Sequence, residues 1–260
     1  MSLSDYSENI CLDHGLGTTQ CPTTTDVYLA LFTDDPTDAG TGTEVSGGSY
    51  AREVITFAAA TGRSITQTGD VEFTTATGNW GTVTHYAIYT LLSGGEFLAS
   101  GQLGTSKSVT DGKTPSVASG EVIISFDTGV ISNYLAVQLL DRIFRNQSAT
   151  LPVPYMALIE TTDVTDSTAG SALDELEMTD YAREAIGTFP GASGGATQNS
   201  ALIDFGTLTG TGETLTATAI CDSSGTGTGN VLFYDNTPNA TIADGDSVEY
   251  AIGDYDIAMT

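Results

Sequence analysis

The chain has 260 residues, with 33 acidic side chains against 7 basic ones, a formal charge of -26 and a pI near 4.1. So few cations exclude nucleic acid, whose backbone is bound mainly by releasing counterions to Lys and Arg, and exclude an anionic membrane surface on the same ground. Apolar residues make up 40% and run along the whole chain, unlike an acidic disordered tail. "MSLSDYSENI" lacks the basic end and apolar stretch of a secretory signal and "VPYMALI" is too short to span a bilayer, so a soluble protein made in the cytoplasm is expected.

In chain order, "SDYSENICLDHG" predicts a helix with Ser4 as N-cap and Gly15 as its stop. Cys11, Cys21 and Cys221 show no CxxC spacing and no His cluster, so they read as reduced structural thiols, with a Cys11 to Cys21 bridge as the alternative. "VYLALFT" at 27–33 is a strand, followed by the loop "DDPTDAGTGTEVSGG". In "YAREVITF", Ala51, Glu53, Ile55 and Phe57 share one face; in "THYAIYTL", Tyr86, Ile88 and Thr90 oppose Ala87 and Tyr89. "TDGKT" at 110–114 lacks the first glycine of a phosphate loop and reads as a turn. "SNYLAVQLLDRIFRN" predicts a second helix, with Leu135, Leu139 and Ile143 on one face and Arg142 and Arg145 in its last turn.

The chain also repeats itself. Ser4, Tyr6, Leu12 and Asp13 recur as Ser132, Tyr134, Leu140 and Asp141; "VYLALFT" recurs as "PYMALIE"; Tyr50, Ala51, Arg52 and Glu53 recur as Tyr181, Ala182, Arg183 and Glu184. "VTHYAIY" then matches "LTATAIC", and "TDGK" faces "ADGD". The order never breaks and the offset drifts slowly, as a duplication with small loop insertions requires. Gly187 and Thr188 occupy one inserted position, where a bulge is expected. Domains at 1–128 and 129–260 follow, each with about seven short strands. The predicted fold class is all-β: two tandem antiparallel β-sandwich domains, jelly-roll or Ig-like, each preceded by a short α-helix, the second helix doubling as connector.

Candidate chemistry is sparse. His14 and His85 have no partner at triad spacing and read as structural or surface residues. Carboxylates are too abundant for any pair to single out a glycosidase. Asp34, Asp35 and Asp38, with Asp163 and Asp166 and then Asp244 and Asp246, supply clustered oxygens that suit a structural Ca²⁺, although none follows the EF-hand pattern and solvated acidic loops are the plainer reading. Arg52 and Arg183 are the basic pair kept in both repeats, each two residues after a Tyr. One reading makes Tyr50, Arg52, Tyr181 and Arg183, with Tyr28, contacts for a partner or a sugar. The other ties each guanidinium to loop carbonyls or to a carboxylate such as Asp34 or Asp38. Trp80 offers an aromatic face for a sugar. With lysine confined to Lys107 and Lys113, the acidic surface suits a saline environment and predicts stabilisation by salt.

"MSLSDYSENICLDHGLGTT", "VYLALFTDDPTDAGTGTEVSGGSYAREVITFAAA", "NWGTVTHYAIY" and "GGEFLASGQLGTSKSVTDGKTPSVASGEVIISF" follow in that order over residues 1 to about 127. Together they resemble a widespread family of tailed-phage virion proteins labelled tail-fibre-like or minor tail proteins, whose β-rich modules also resemble head decorations. Residues 130–260 depart from that pattern: they lack "GTEVSGG" and "WGTVTH" but keep "YARE". The resemblance implies a non-enzymatic structural protein without cofactor, on the outer surface of the virion and made in the host cytoplasm. Its role would be capsid decoration or tail accessory, and its partners would be major capsid or tail proteins and copies of itself. The first helix and a "TDVYLALF" edge strand are the expected contacts. The alternative is a host-glycan-binding module at a fibre or tail tip.

Overall fold

The computed structural model describes residues 2–160 and 164–259. In chain order the first repeat runs β1 (Ser2–Leu3), α1 (Asp5–Gly15), β2 (Val27–Phe32), β3 (Glu53–Phe57), β4 (Ser64–Thr68), β5 (Val71–Glu72), β6 (Gly81–Tyr89), β7 (Phe97–Val109), β8 (Ser116–Val117) and β9 (Ile123–Ser125). The second runs α2 (Asn133–Arg145), β10 (Tyr155–Ile159), a 3-10 turn at Gly170–Ala172, β11 (Glu184–Ala185), β12 (Ala196–Gln198) and β13 (Ile203–Thr207). It continues with β14 (Glu213–Leu215), β15 (Ala217–Cys221), β16 (Val231–Asp235), β17 (Ala240–Ile242), β18 (Ser247–Tyr250) and β19 (Asp256–Ala258). The protein is all-β in two units, with antiparallel pairing throughout and one short helix leading each repeat.

The main sheet of the first repeat has the order β1-β7-β6-β2-β3-β4-β9, and β5 pairs with β8 beside it. The second repeat keeps most of these pairings in shorter pieces: β11-β10-β15-β16, then β12 with β19, β13 with β18 and β14 with β17. Register shows the duplication residue by residue. Tyr28 faces Val54 and Tyr89 as Tyr155 faces Ala185 and Cys221. Ser64 faces Ser125 as Ala196 faces Ala258, and Val71 faces Val117 as Ile203 faces Tyr250. A one-residue slip would move every core side chain to the wrong face, so identical register means the two cores are patterned alike.

Two expectations about this frame are corrected. β2 is central, hydrogen-bonded to β3 on one side and β6 on the other, so "TDVYLALF" is no edge. Its unbroken apolar run is the mark of a strand covered on both faces, and Leu29, Ala30, Leu31 and Phe32 are all buried. At Gly187 there is no bulge: the ladder stops at Ala185, where β3 runs on to Phe57, and Gly187 turns the chain with φ of 69°.

Both helices are capped by the same device. The Ser7 amide donates to Ser4 Oγ at 3.1 Å, and the Leu135 amide to Ser132 Oγ at 3.1 Å. Each serine also donates its hydroxyl to a strand carbonyl, Phe97 and Val231 respectively, which fixes the helix start to the sheet. Gly15 closes α1 where the Phe233 ring leaves no room: an added Cβ would lie 2.5 Å from it.

The division at residue 128 describes the sequence repeat, while the compact units also share out the helices. Unit 1 consists of Met1–Glu8, Pro22–Phe126 and Leu139–Ala149, and unit 2 of Asn9–Cys21, Asp127–Gln138 and Thr150–Thr260. In unit 1 the Ala60 amide donates to Asp141 Oδ1 at 2.8 Å; in unit 2 the Ala192 amide donates to Asp13 Oδ1 at 2.8 Å. Each unit is therefore closed by a helical segment from the other repeat. Cys11 and Leu12 are wholly buried, so one side of α1 belongs to the core.

The three cysteines are buried thiols outside any disulfide, so Cys11 and Cys21 form no bridge. No helix among the described residues is long and apolar enough to cross a membrane.

Candidate functional site

The feature kept most faithfully in both repeats is a buried clamp of Glu, Tyr and Arg. In the first repeat Arg52 Nε donates to Glu44 Oε1 at 2.8 Å and Nη2 to Oε2 at 2.7 Å, while Nη1 reaches the carbonyls of Leu91 at 2.9 Å and Gly94 at 2.7 Å. Tyr50 Oη donates to Glu44 Oε1 at 3.0 Å and accepts the Leu31 amide at 2.9 Å. The second repeat copies this. Arg183 Nη2 donates to Glu175 Oε1 at 2.7 Å, and Nη1 reaches Ser223 O at 2.9 Å and Thr228 O at 3.0 Å. Tyr181 Oη donates to Glu175 Oε2 at 2.8 Å and accepts the Leu158 amide at 3.0 Å. An Arg–carboxylate pair with Nη1 directed at two carbonyls is the geometry that offsets the desolvation of a buried charge.

These contacts replace the partner-contact reading of Tyr50, Arg52, Tyr181 and Arg183. Arg52 and Arg183 are buried, and their donors are spent inside the fold. The carboxylate is Glu44 or Glu175 rather than Asp34 or Asp38. Each glutamate stands six residues before its Tyr, a spacing shared by both repeats that could have identified it. Burial works to lower the pKa of each guanidinium, but the hydrogen bonds to its glutamate together with the attraction of the surrounding acidic groups outweigh it, and the net direction is up. Burial likewise raises both tyrosines, so neither hydroxyl serves as a base. Tyr28 is half-buried on the central strand.

Trp80 is also an internal residue. Its indole Nε1 donates to Gly48 O at 2.9 Å and its ring meets Tyr50 edge-on, 5.2 Å between centroids, so it presents no face to a sugar. His14 is buried, with the Cys21 amide 3.3 Å from Nδ1, and His85 bonds its neighbour Thr84.

The acidic loops use their carboxylates to hold their own backbone. Asp34 accepts the amide and hydroxyl of Thr43, bonds that lower its pKa; Asp35 accepts the Thr37 amide. Asp244 accepts the amide of Gly210, Asp246 that of Ala243, and Asp166 that of Gly129. Asp163 lies outside the described residues, and Asp38 stands beside Glu8 and raises its pKa. No group of three or more His, Cys, Asp or Glu side chains among the described residues is arranged to hold a metal ion.

"TDGK" and "ADGD" are turns: Gly112 and Gly245 sit at φ of 79° and 86°, and the amides of Lys113 and Asp246 return to the carbonyls of Thr110 and Ala243. Sequence reasoning overlooked Glu8. Burial, then the charges of Asp38 and Asp5, raise its pKa to about 7. Unit 1 also contains a half-open cavity of about 470 Å³ floored by Leu31, Phe73 and Val83 and rimmed by Lys107 and Glu121.

Residues 2–125 match the family described as "Podophage GP4 fiber I protein gp80", and residues 130–258 match the same family a second time. The second match extends the likeness to the repeat that lacks the "GTEVSGG" and "WGTVTH" blocks. No curated protein matches the chain.

Proposed function

We propose, because the chain belongs to the podophage GP4 fiber I protein gp80 family, that it is a non-enzymatic structural subunit on the outer surface of a tailed-virus particle, part of the tail-fibre apparatus. The observation that carries this is the double match, which puts both repeats under one family of fibre proteins. Two features support it. Each repeat spends its buried charge on bracing loops against the sheet, which suits a rigid building block. The charge of -26 keeps free subunits apart before assembly, and on the particle exterior it has no packaged nucleic acid to repel. A host-glycan role loses its aromatic platform, since Trp80 is buried.

Immunogold electron microscopy of purified particles, with the copy number measured by quantitative mass spectrometry, tests the reading. A handful of copies at the tail is the expected result. Hundreds of copies spread over the head would replace it with capsid decoration, and binding of the purified protein on a glycan array would restore the receptor reading.

A further inference from the structure

Five of the seven basic residues are committed inside the fold. Arg52 and Arg183 hold their glutamates, and Arg145 pairs with Asp141 at 2.9 Å. Arg63 reaches the Phe126 carbonyl and Arg142 is buried with a partner of its own. Lys107 and Lys113 are different. Both are exposed, and neither side chain makes an ion pair or hydrogen bond with any described residue. In a chain of charge -26, two cations free of every carboxylate around them are free for something else.

They also sit together, Lys107 on β7 and Lys113 in the turn that follows it. On its outer side β7 is covered only by β1, at Ala99 and Ser100, so among the described residues the backbone edge from Gly101 to Val109 is open. The first corner carries Lys107, Lys113 and the exposed Asp111 between them, a net charge of about +1, whereas the duplicated corner keeps Asp111 as Asp244 and has no cation. By register, Val83 facing Lys107 corresponds to Leu215 facing Ala240, and Lys113 corresponds to Asp246, beside Asp244. Among the described residues β17 pairs only with β14, which leaves its other edge open there, and Ala240, Thr241, Asp244 and Asp246 are exposed. One fold element therefore occurs twice, once with two unpaired lysines around a single carboxylate and once with carboxylates alone.

We propose that these two corners dock on each other between copies of the chain, the lysine-bearing edge of β7 in one molecule against the acidic β17 edge and its turn in a second. Open strand edges supply unpaired backbone groups to a partner, and the net positive charge of one corner against the wholly acidic other selects the unlike corner over the like one. Because the two surfaces differ, the contact is heterologous; it closes into a ring or runs on as a filament according to its rotation. The opposing view is that Lys107 is a guard that keeps the edge unpaired, as edge lysines often do. The two views predict opposite results. The proposal concerns association in solution, so its failure is separate from any failure to find the protein at the tail.

The test is sedimentation velocity over a concentration series at about 0.15 M salt, with far-UV circular dichroism to confirm that each protein is folded. Wild type should self-associate, and Lys107→Glu/Lys113→Glu should weaken association at least about tenfold. Asp244→Lys/Asp246→Lys should do the same, since it puts like charge on both edges. An equimolar mixture of the two charge-reversed proteins should recover association, because each supplies the edge the other lacks. Asp244 and Asp246 also accept turn amides. Should their reversal unfold the protein, Asp244→Asn/Asp246→Asn takes its place and should also weaken association. A wild type that stays monomeric at every concentration, a lysine-reversed protein that associates as wild type or better, or a mixture of folded reversed proteins that stays apart would overturn the proposal.

Discussion

In the first repeat Arg52 lies over the ring of Tyr89, 3.6 Å from its centroid; in the second the matched residue is Cys221, and Arg183 instead gains a third carbonyl, Gly170, at 3.3 Å. Glu175 also accepts the Gly227 amide at 3.0 Å, a contact unmatched around Glu44. The side chains of Arg183 and Glu175 are 0% and 1% exposed, against 8% and 27% for Arg52 and Glu44. One clamp is thus held partly by an aromatic face and partly by solvent, the other wholly by hydrogen bonds. A duplicated core can keep its charge pattern while exchanging the groups that satisfy it, provided no buried donor is left over.

The largest expected effect comes from breaking that equivalence. Glu175→Ala strands a guanidinium with no solvent to repay it and should cost about 3–5 kcal/mol. Glu44→Ala leaves its guanidinium with the Tyr89 face and partial solvent access and should cost about 1–3 kcal/mol. Urea titration followed by circular dichroism measures both. Equal losses would mean that the aromatic face contributes nothing.

A second difference lies in how the cores are filled. Tyr86 packs over its cross-strand partner Gly101, where an added Cβ would fall 2.6 Å from the phenol oxygen. In the second repeat that pair is Thr218 and Asp235, and the aromatic ring comes from the other wall: Tyr255, at the position of Val122, places its hydroxyl 3.1 Å from Thr218 Oγ1. Gly101→Ala should cost about 1–3 kcal/mol through overpacking. Gly101→Ala combined with Tyr86→Thr should lose less than the two single costs added together, because the second change removes the ring the first collides with. Strict additivity in thermal melts would show that the pair is not coupled.

Charge separates the repeats as well, since the second is the more acidic and contains no lysine. Salt should raise the melting temperature of the whole chain by screening self-repulsion. The gain should shrink in a variant carrying Asp244→Asn, Asp246→Asn and Glu249→Gln. A melting temperature flat from low to molar NaCl would remove the saline reading of the composition.

What the sequence made legible follows from where the information sits. Ser4 and Ser132 are readable because a cap is a local arrangement, complete within four residues. Arg52 and Arg183 are readable as a pair by repetition, but their glutamates lie in the preceding loops, where only comparing the two repeats, and nothing local, distinguishes Glu44 from Asp34 or Asp38. β2 looks like any apolar strand, and its central place depends on residues fifty and more positions away. The shared helices are illegible for a deeper reason: Asp13 and Asp141 offer the same carboxylate to the same amide position, so the sequence is compatible with each helix serving either unit.

The smallest expected effect tests a place where the repeats disagree outright. Glu8 corresponds to Ala136 in α2, which is completely buried, so a carboxyl occupies a site its duplicate keeps apolar. Its pKa, raised to about 7, makes the folded state bind a proton that the unfolded state has released above the ordinary glutamate range. Linkage then fixes the sign: Glu8 costs nothing below about pH 4.5, and stability falls as pH rises from there through about 7, where the penalty levels off. Melting temperatures between pH 4.5 and 8 should decline in wild type and decline less in Glu8→Gln, while Glu8→Ala, which copies the second repeat, should be the more stable protein near pH 8. Parallel curves for all three would mean that burial and the charges of Asp38 and Asp5 act on Glu8 too weakly to be felt in folding.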